Sequence, residues 1–562
     1  GVRVRAAPKQ PHIVFIVADD LGYGDLGFRG SEIKTPVIDD LAIKQGRVLE
    51  NYYVLSSCSP TRSAIHTGRY PMRFNMDLAM LGGLPRGVPL NETFLPQVLK
   101  HEGYHTHAVG KWHLGAHAWE FTPTFRGYDT YLGYLQGGES YFTHEVPWFV
   151  PKWLDKTPFP LINQYDFRRQ TRPECGKNCS TLELGANNHY STHLLTAEAT
   201  RIIGAHNASE PLFMYLAYQA VHGPTEAPDS YVAPYLHIKN RERQVYAGML
   251  AALDEGVGNV TRALKDSGLW DDTLLVFTTD NGGPTDTCDP QGSFNGPLRG
   301  GKCWITEGGT RGTAFVSGGI LPRDVVGKPV PNLMHAVDWL PTLSAFGGVD
   351  RPSTNLPLDG VNLHQSLVSV NSSEVRDDVF LGFSDTGRTG SALRMGRWKL
   401  LRGPPHLTGM NYVVGKLLGP LINDIKTHNY TVKDLTELAE IVDKEIFDES
   451  YVLPETLLSR YRGQLSFHWP WHKDGKEQLF DVTTDIAEQH DVSKQHPDIV
   501  KELRARLDAY DAQAPPKGTD PALSPECKAQ KPKSKHWNSD GPGGMPAVVP
   551  YCNLEKTSRV FV

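Results

Sequence analysis

The chain has 562 residues, of which 39% are hydrophobic, and a formal net charge of −6. This length allows one very large domain with a smaller one, or three domains of ordinary size. A nucleic-acid-binding protein would show a basic stripe, which this composition does not indicate. The sequence contains no run of eighteen apolar residues, so no transmembrane helix is predicted. The first residue is Gly1 rather than Met, which indicates a removed leader or an internal start.

Short apolar runs alternate with helix-like segments along the first half of the chain. This alternation predicts an α/β fold with a largely parallel sheet. Apolar residues from Val245 to Leu264 recur at three- and four-residue steps with charges between them, which predicts an amphipathic helix. The predicted strands are His12–Ala18, Thr106–Val109, Leu212–Tyr218 and Thr273–Thr278.

The sequence changes character near residue 379, which predicts a large α/β domain over residues 1–378 and a smaller α+β domain over residues 379–562. In the smaller domain, Ser391–Leu401 alternates apolar and basic residues, as a half-exposed antiparallel strand does. A last helix is predicted after Pro497, with Val500, Leu503, Leu507 and Tyr510 on one face.

Two segments of the smaller domain have no regular pattern. Residues 417–471 are interpreted as an insertion. The tail from Pro515 to Pro550 is rich in Pro, Lys and Ser and is predicted to be irregular, held by Cys527 and Cys552.

Seven cysteines leave one unpaired if the others form disulfides. Cys175 and Cys179 predict a short disulfide loop, because no second Cys or His pair completes a metal site. Six Asn-x-Ser/Thr sequons, some of which chance alone would supply, join the cysteines in favouring the secretory pathway. They are Asn91, Asn178, Asn207, Asn259, Asn371 and Asn429.

Polar side chains follow each predicted strand. They are Asp19 and Asp20, Lys111 and His113, His222, and Asp280 and Asn281. Taken singly, each has a structural alternative as a helix cap, a turn residue or a solvated histidine. Because ligands bind beyond the carboxyl ends of strands in open α/β sheets, we expect them to meet in one crevice. Three carboxylates and an amide oxygen suit Ca²⁺ or Mg²⁺ better than zinc.

Cys58 lies in the stretch SSCSPTRSAIHTGR, with no second cysteine for more than a hundred positions. Ser63–Thr67 is predicted to be helical with Pro60 in its first turn, which places Cys58 at a helix N-terminus, where negative charge is favoured. An activated thiolate is one interpretation. An oxidising compartment and a hard cation nearby both argue against a working thiol.

These motifs resemble those of the sulfatase family. Cys58–Arg62 matches its Cys-x-Pro-x-Arg signature and Gly103–Gly115 matches its second signature. The likeness continues through Asp280–Gly283, Pro297–Gly312 and Glu477–Ala487, and within the family it is greatest to the arylsulfatase B, or N-acetylgalactosamine-4-sulfatase, group. The resemblance implies an alkaline-phosphatase-like fold: a large mixed, mostly parallel sheet flanked by helices, and a smaller C-terminal domain with an antiparallel sheet.

The resemblance also implies the chemistry. Cys58 would be converted to Cα-formylglycine by the formylglycine-generating enzyme, and the hydrated aldehyde would hydrolyse sulfate esters through a sulfo-enzyme intermediate beside one Ca²⁺. The implied metal ligands are Asp19, Asp20, Cys58, Asp280 and Asn281. The implied catalytic residues are Cys58, Arg62, Lys111, His113, His222 and Lys302. The implied substrate-binding residues are Lys111, Thr143, His144, His222 and Lys302.

Individual roles follow from the same resemblance. His222 would protonate the leaving alcohol, and His113 would help to deprotonate the second hydroxyl of the diol. Thr143 and His144 stand where family members often carry Ser-His. A bridge between Cys288 and Cys303 would join two active-site loops, although six cysteines allow fifteen pairings.

Two alternatives remain at this point. The first is a phosphomonoesterase or phosphodiesterase on the same scaffold, and the second is a non-catalytic glycan-binding protein on a sulfatase fold. The expected partners are a sulfated small molecule or glycan, with no nucleic acid and no membrane span, and the expected location is secreted or lysosomal. The motifs fit aryl sulfates, sulfated sugars and glycosaminoglycans alike.

Overall fold

The computed structural model describes residues 10–80, 85–148, 162–172, 176–285, 288, 291–382, 390–405, 477–515 and 552. The predictions for residues 417–471, for most of the tail, and for Cys175 and Cys527 lie outside these residues. Cys179 and Cys552 are each disulfide-bonded. The predicted bridge between Cys288 and Cys303 is confirmed.

The helices and strands are as follows. The α-helices span Pro36–Ile43 (α1), Cys58–Thr67 (α2), Leu95–His101 (α3), Ser191–Ala205 (α4), Asp229–Val232 (α5), Arg241–Asp266 (α6), Glu307–Thr310 (α7), Trp339–Phe346 (α8), His364–Val368 (α9) and Pro497–Asp511 (α10). The strands span His12–Ala18 (β1), Gly46–Tyr53 (β2), His105–Gly110 (β3), Thr130–Gly133 (β4), Glu145–Trp148 (β5), Ile162–Tyr165 (β6), Arg168–Gln170 (β7), Ser180–Leu182 (β8), Leu212–Ala217 (β9), Thr273–Thr279 (β10), Ala314–Ser317 (β11), Val330–His335 (β12), Asp378–Phe380 (β13), Ser391–Met395 (β14), Trp398–Arg402 (β15) and Glu477–Asp481 (β16).

A ten-stranded sheet forms the centre of the molecule, in the order β12-β2-β11-β10-β1-β9-β3-β4-β7-β8. Strands β10, β1, β9, β3 and β4 run parallel to their neighbours in this series. Strand β11 is antiparallel to both of its neighbours, and β7 and β8 form an antiparallel edge. The predicted mixed, mostly parallel sheet is therefore confirmed.

Strand β1 is buried along its whole length. Its alternate side chains enter two different cores. Phe15 packs edge-on against Trp339 of α8, with ring centroids 5.2 Å apart, whereas Val14 and Ile16 belong to the apolar cluster formed with α4 and α6. A strand covered on both faces is apolar at every position, which explains why HIVFIVA shows no alternation.

The predicted amphipathic helix is confirmed as α6. It spans Arg241–Asp266 and so extends beyond the apolar residues Val245 to Leu264 at both ends. It starts at Arg241, where the side chain of Asn240 accepts a hydrogen bond from the backbone N–H of Arg243 at 2.9 Å. This capping contact satisfies a free N–H group of the first turn. The extra turns are polar, so the apolar spacing alone did not include them.

A separate four-stranded antiparallel sheet has the order β13-β14-β15-β16. The prediction of one half-exposed strand over Ser391–Leu401 is wrong. The chain turns at Gly396, where φ is 55°, and continues as a second strand. The hairpin is also largely buried rather than half-exposed. The predicted boundary between residues 378 and 379 falls inside β13, and the division into two domains stays a prediction.

Both faces of this small sheet are covered. Leu393 and Leu400 belong to the apolar cluster that includes Leu503 of α10, which confirms the predicted last helix. Ala392 on the opposite face belongs to the cluster that includes the cysteines of the 288–303 bridge. The alternating pattern predicted water on one face, where the structure has the loop closed by the Cys288–Cys303 bridge.

A buried ion-pair network connects the small sheet to that loop. The Nζ atom of Lys399, on β15, lies 2.9 Å from Oε1 of Glu307 and 3.1 Å from Oε1 of Glu488, and all three side chains are inaccessible to solvent. The hydroxyl of Tyr53 donates to the second oxygen of Glu307 at 2.8 Å. Removing one member would leave a buried charge without compensation.

None of the helices in the described part of the chain has the length and apolarity required to cross a membrane.

Candidate active site

Four neighbouring parallel strands deliver charged side chains to one edge of the large sheet. Asp19 and Asp20 follow β1, Asp280 follows β10, and Lys111 follows β3, which places them at the carboxyl ends of adjacent strands. The side chains of Asp19, Asp20, Asp280 and Lys111 are all buried. His222 follows β9, which lies between β1 and β3. The structure thus brings together the residues that the strand-end pattern singled out.

Cys58 is the first residue of α2, directly after the extended Ser57. It is 2% exposed and is the free cysteine of the described residues. Potential ligand atoms of Asp19, Asp20, Cys58 and His222 all lie within 4.8 Å of one another. A helix N-terminus stabilises negative charge, so the side chain of residue 58 lies where an anion is favoured.

Three cationic side chains neutralise the three buried carboxylates. Arg62 donates from Nε and Nη2 to one oxygen of Asp280, at 3.0 and 2.8 Å. The Nζ of Lys111 lies 2.6 Å from Asp19. The loop residue Lys302 lies 2.8 Å from Asp20. Each cation is therefore held in place by a carboxylate of the same site.

The carboxylates differ in pKa because their neighbours differ. Burial and the charge of Asp280 raise the pKa of Asp19 to about 8, against the opposing effect of Lys111 and Arg62. At Asp20 burial acts in the same upward direction, but Lys302 and His222 outweigh it and lower the pKa to about 2. At Asp19 the neighbouring cations compensate only in part for burial and for the charge of Asp280, which favours additional positive charge beside it.

The donor set fits a hard divalent cation. Oδ1 of Asp19 and Oδ1 of Asn281 are buried and have no hydrogen-bond partner in the described structure. The amide nitrogen of Asn281 donates to Asp20 at 2.7 Å, which leaves its oxygen available as a ligand. Buried oxygen acceptors without donors are costly unless something else satisfies them, and a cation does so.

The ring of His222 is oriented by its own loop. Its Nδ1 donates to the backbone oxygen of Gly223 at 2.7 Å, since a carbonyl can only accept. Its Nε2 lies 3.2 Å from Nζ of Lys302 and 3.7 Å from Asp20. Because Nδ1 already carries a proton and an ammonium can only donate, Nε2 accepts from Lys302 in this arrangement and is a donor only in the imidazolium form.

His113 is held by its other ring nitrogen, Nε2, and its Nδ1 is left open by the residues that the structure describes. Its Nε2 donates to the backbone oxygen of Met80 at 2.8 Å, and its Nδ1 is buried without a partner among the described residues. Burial, with Lys111 nearby, lowers the pKa of His113 well below its usual value. The ring is therefore neutral, with a free lone pair on Nδ1. Its backbone φ of 56° is uncommon for a residue with a side chain.

The loop that carries Lys302 is tied to the segment before Cys58. The backbone N–H of Cys303 donates to the carbonyl of Ser56 at 2.7 Å, and that of Ile305 donates to Pro405 at 2.8 Å. The first contact fixes Lys302 relative to Cys58. The second fixes it relative to the end of β15.

The sulfatase family model matches residues 11–349, which contain this whole site. The chain belongs to the sulfatase family. It is therefore a sulfuric ester hydrolase.

Individual sulfatases show the extent of the likeness. The chain is 34% identical to arylsulfatase J of Mus musculus over 546 residues, covering 92% of this chain and 79% of that protein. It is 33% identical to arylsulfatase A of Homo sapiens over 406 residues, covering 70% and 75%. The solved structure of Ps i-CgsB in complex with k-i-k-neocarrahexaose matches with a TM-score of 0.68 and 28% identity over 92% of this chain and 94% of that one. The narrower likeness to the arylsulfatase B group stays a prediction.

Thr143 and His144 lie differently in this sulfatase from the other predicted residues. His144 is fully buried, and its ring nitrogens lie 2.9 Å from Oε1 of Glu139 and 3.0 Å from the carbonyl of Ala186. Burial raises the pKa of Glu139 to about 7, and the pKa of His144 is also raised, because Glu139 outweighs the effect of burial. These contacts close the 139–144 loop. Thr143 is half-buried in the same loop.

Sequence reasoning missed the groups that hold the two site histidines. A Cβ atom on Gly137 would lie 2.7 Å from the ring of His113, and one on Gly138 would lie 3.1 Å from the ring of His222. The adjacent glycines of QGGES were a visible signal of close backbone approach. The carbonyl of Met80 had none, because a backbone acceptor is independent of residue type.

Proposed function

We propose that this sulfatase hydrolyses sulfate monoesters of sugars, and also accepts aryl sulfates, with formylglycine at position 58 and one bound Ca²⁺. The observation that carries the proposal is the position of Cys58: free, buried, first in a helix, and surrounded by Asp19, Asp20 and His222. A sugar substrate is supported by the carbohydrate in the related complex and by the galactosamine sulfatases among the relatives.

Residue 58 provides the nucleophile. Once the formylglycine-generating enzyme has oxidised Cys58, its hydrated aldehyde supplies two hydroxyl groups, one to attack sulfur and one to release sulfate. Pro60 and Arg62, which belong to the signature, lie in the same buried helix. The N-terminus of α2 stabilises negative charge on the attacking oxygen.

Asp19, Asp20, Asp280 and Asn281 would hold the calcium ion, together with an oxygen on residue 58. Bound there, Ca²⁺ supplies positive charge to the sulfuryl oxygens. The set of Asp19, Asp20, Cys58 and His222 also has the composition of a zinc site. We favour the oxygen set, because Oδ1 of Asp19 and Oδ1 of Asn281 are buried without a partner among the described residues, whereas Nε2 of His222 already accepts from Lys302 at 3.2 Å.

Lys111 and Lys302 bind the anionic part of the substrate, and Arg62 acts on residue 58. Arg62 is fully buried and held by Asp280, so it is suited to steadying the hydroxyl of residue 58. The two lysines have flexible stems, and each ends beside a carboxylate at the edge of the sheet. They bind the sulfate oxygens and stabilise the charge that develops on them.

The two histidines divide the proton transfers. His222, as the imidazolium, donates its Nε2 proton to the leaving oxygen, while Nδ1 stays bonded to Gly223. Neutral His113 accepts a proton at Nδ1, which helps the second hydroxyl to expel sulfate. We assign the acid to the histidine beside Asp20 and the base to the histidine whose Nδ1 has no partner among the described residues.

The remaining predictions concern the 139–144 loop, the division into domains and the location of the protein. The contacts of His144 favour a structural role in the 139–144 loop over substrate binding, and the substrate contact of Thr143 stays a prediction. We retain a catalytic domain over residues 1–378 and a C-terminal domain over residues 379–562. Passage through the secretory pathway, to a secreted or lysosomal location, is supported by the Cys288–Cys303 bridge and by the sequons.

The test is release of sulfate from N-acetylgalactosamine 4-sulfate and 4-nitrophenyl sulfate, with the matching phosphate esters as the second arm. We expect turnover of the sulfate esters and its loss in Cys58→Ala. Faster turnover of the phosphate esters would support a phosphoesterase. Binding of sulfated sugar without turnover of any ester would support the non-catalytic alternative.

A further inference from the structure

Gln291 has a buried side-chain amide that makes no hydrogen bond to any residue the structure describes. The residue is 3% exposed, and neither Oε1 nor Nε2 has a hydrogen-bond partner among the described residues. A buried amide without partners costs free energy, and native structures rarely retain one without a reason.

Asn295, four residues further along the same loop, shows the contrast. Its oxygen accepts from the backbone N–H groups of Tyr23 and Gly283 at 3.2 and 2.9 Å. Its nitrogen donates to the carbonyls of Gly283 and Gly300 at 2.7 and 3.1 Å. The loop therefore satisfies a structural amide fully at one position and leaves the amide of Gln291 open.

The amide of Gln291 lies beside the proposed proton donor. A Cβ atom on Gly223 would lie 2.8 Å from Nε2 of Gln291, so the amide packs directly on the backbone of Gly223. The carbonyl of this glycine accepts the hydrogen bond from Nδ1 of His222. Gln291 thus packs on the glycine that holds the ring of His222 in place.

Each of the three residues that follow Gln291 is anchored by a hydrogen bond. Arg243 donates to the carbonyl of Gly292 at 3.0 Å. Asp25 accepts from the backbone N–H of Phe294 at 3.0 Å. Ser293 donates to the carbonyl of Pro284 at 2.6 Å. These contacts hold the backbone in place, so the amide is presented in a defined position before any substrate arrives.

We propose that Gln291 determines specificity for the alcohol part of the substrate, by hydrogen-bonding a hydroxyl or acetamido group of the sulfated sugar. This inference rests on the proposed function. A primary amide offers one acceptor and two donor hydrogens, and hydroxyl and acetamido groups both donate and accept. An aryl ring offers neither, so it leaves the amide unsatisfied. A site built around a buried polar group discriminates against substrates that lack the matching group.

The experiment compares Gln291→Ala and Gln291→Met with the wild-type protein on N-acetylgalactosamine 4-sulfate and on 4-nitrophenyl sulfate. We expect kcat/KM for the sugar ester to fall ~10–100-fold, and that for the aryl ester to stay within about twofold. Gln291→Met preserves side-chain length, and the aryl ester reports whether each variant is folded. Gln365→Ala, at an exposed glutamine of α9, is the matched control and should leave both esters unchanged.

Two further substrates identify the group that is recognised. Galactose 4-sulfate lacks the acetamido group, and its 3-deoxy analogue also lacks the neighbouring hydroxyl. If the acetamido group binds Gln291, the variant loses activity only on the acetamido sugar. If the hydroxyl binds Gln291, the variants also lose activity on galactose 4-sulfate. They lose none on the deoxy analogue, because that substrate has no hydroxyl for the amide to bond.

Equal losses on the sugar and aryl esters, or no loss on any sugar, would overturn the assignment of Gln291 while leaving the proposed function intact. A wild-type protein that releases no sulfate from any ester would overturn both.

Discussion

The Nζ atom of Lys302 lies 3.2 Å from Nε2 of His222, so a proposed sulfate-binding cation and the proposed general acid are in direct contact. Asp20 lies beside both, 2.8 Å from the lysine and 3.7 Å from the histidine. Substrate sulfate would draw the lysine towards its own oxygens. Nε2 of His222 would then be released from the lysine, which links binding of the anion to the availability of the acid.

His222→Ala should damage hydrolysis of sugar sulfates much more than hydrolysis of nitrophenyl sulfate. A sugar alkoxide is strongly basic and needs a proton as it leaves, whereas a nitrophenolate does not. We expect a ~10²–10⁴-fold loss of kcat/KM for the sugar ester and a far smaller loss for the aryl ester. Equal losses on the two esters would show that His222 is not the acid.

His113→Ala should slow a later step, because this histidine acts after the alcohol has left. Both substrates should lose turnover, and stopped-flow traces with nitrophenyl sulfate should show a burst of phenol of about one equivalent before the slow phase. Sulfate release should show no burst. If phenol and sulfate appear together at the reduced rate, His113 acts before the alcohol departs.

Residue 58 should be formylglycine in active material. Mass spectrometry of the tryptic peptide Val48–Arg62 should show loss of the thiol sulfur and resistance to alkylation. Cys58→Ser offers only one hydroxyl, so it should retain sulfate on residue 58 after a single turnover, and the intact mass should report that adduct. Active protein with a fully alkylatable Cys58 would contradict the assignment of the nucleophile.

Asp280→Ala should abolish metal binding and also lower stability. Asp280 is the main partner of the buried Arg62, whose next carboxylate, Asp19, is 3.4 Å away. An unpaired buried charge costs about 3–5 kcal/mol. Elemental analysis should find about one calcium per wild-type chain and none in the variant. The exposed Asp271→Ala, at the opposite end of β10, is the matched control and should keep both the metal and the stability.

Asp254 predicts a pH dependence of stability away from the site. Burial raises its pKa to about 6, although it accepts hydrogen bonds from the backbone N–H groups of Val37 and Ile38. A raised carboxyl pKa contributes stability that is complete below the unfolded value, near pH 4, and is lost as pH rises through 6. The loss amounts to about 3 kcal/mol.

Urea titrations of the wild-type protein and Asp254→Asn between pH 4 and 7 measure this effect. The wild-type free energy of unfolding should fall relative to that of the variant over this range. A difference between the two proteins that stays constant with pH would show that Asp254 is ionised throughout.

The sequence predicted the parts of this fold that depend on local pattern. Apolar runs such as Ile13–Ala18 are typical of strands covered on both faces, and polar residues that follow such strands are expected at one edge of a parallel sheet. The hairpin at Gly396 was missed, because the apolar and basic residues continue to alternate through the turn. The burial of its outer face was missed because it depends on a loop a hundred residues away.

The candidate site also contains residues that the sequence predicted and residues that it did not. Cys58, the strand-end carboxylates and the lysines belong to motifs, so their positions were predictable. His144 belongs to a motif as well, yet its ring is engaged by Glu139 and Ala186, and a motif does not specify which side chains turn inwards. Gln291 belongs to no motif, and only its missing partners distinguish it from any other loop residue.

The small sheet lies directly beneath the loop that carries Lys302, with the Cys288–Cys303 bridge and the buried Lys399 network between them. We therefore expect turnover to depend on how well the small sheet is assembled. A substitution on β14 or β15 that loosens this support by a fraction of an ångström would slow hydrolysis while the large sheet remains folded. Substitutions in the small sheet, far from the proposed sulfate pocket, would then lower the turnover of the protein before they lower its stability.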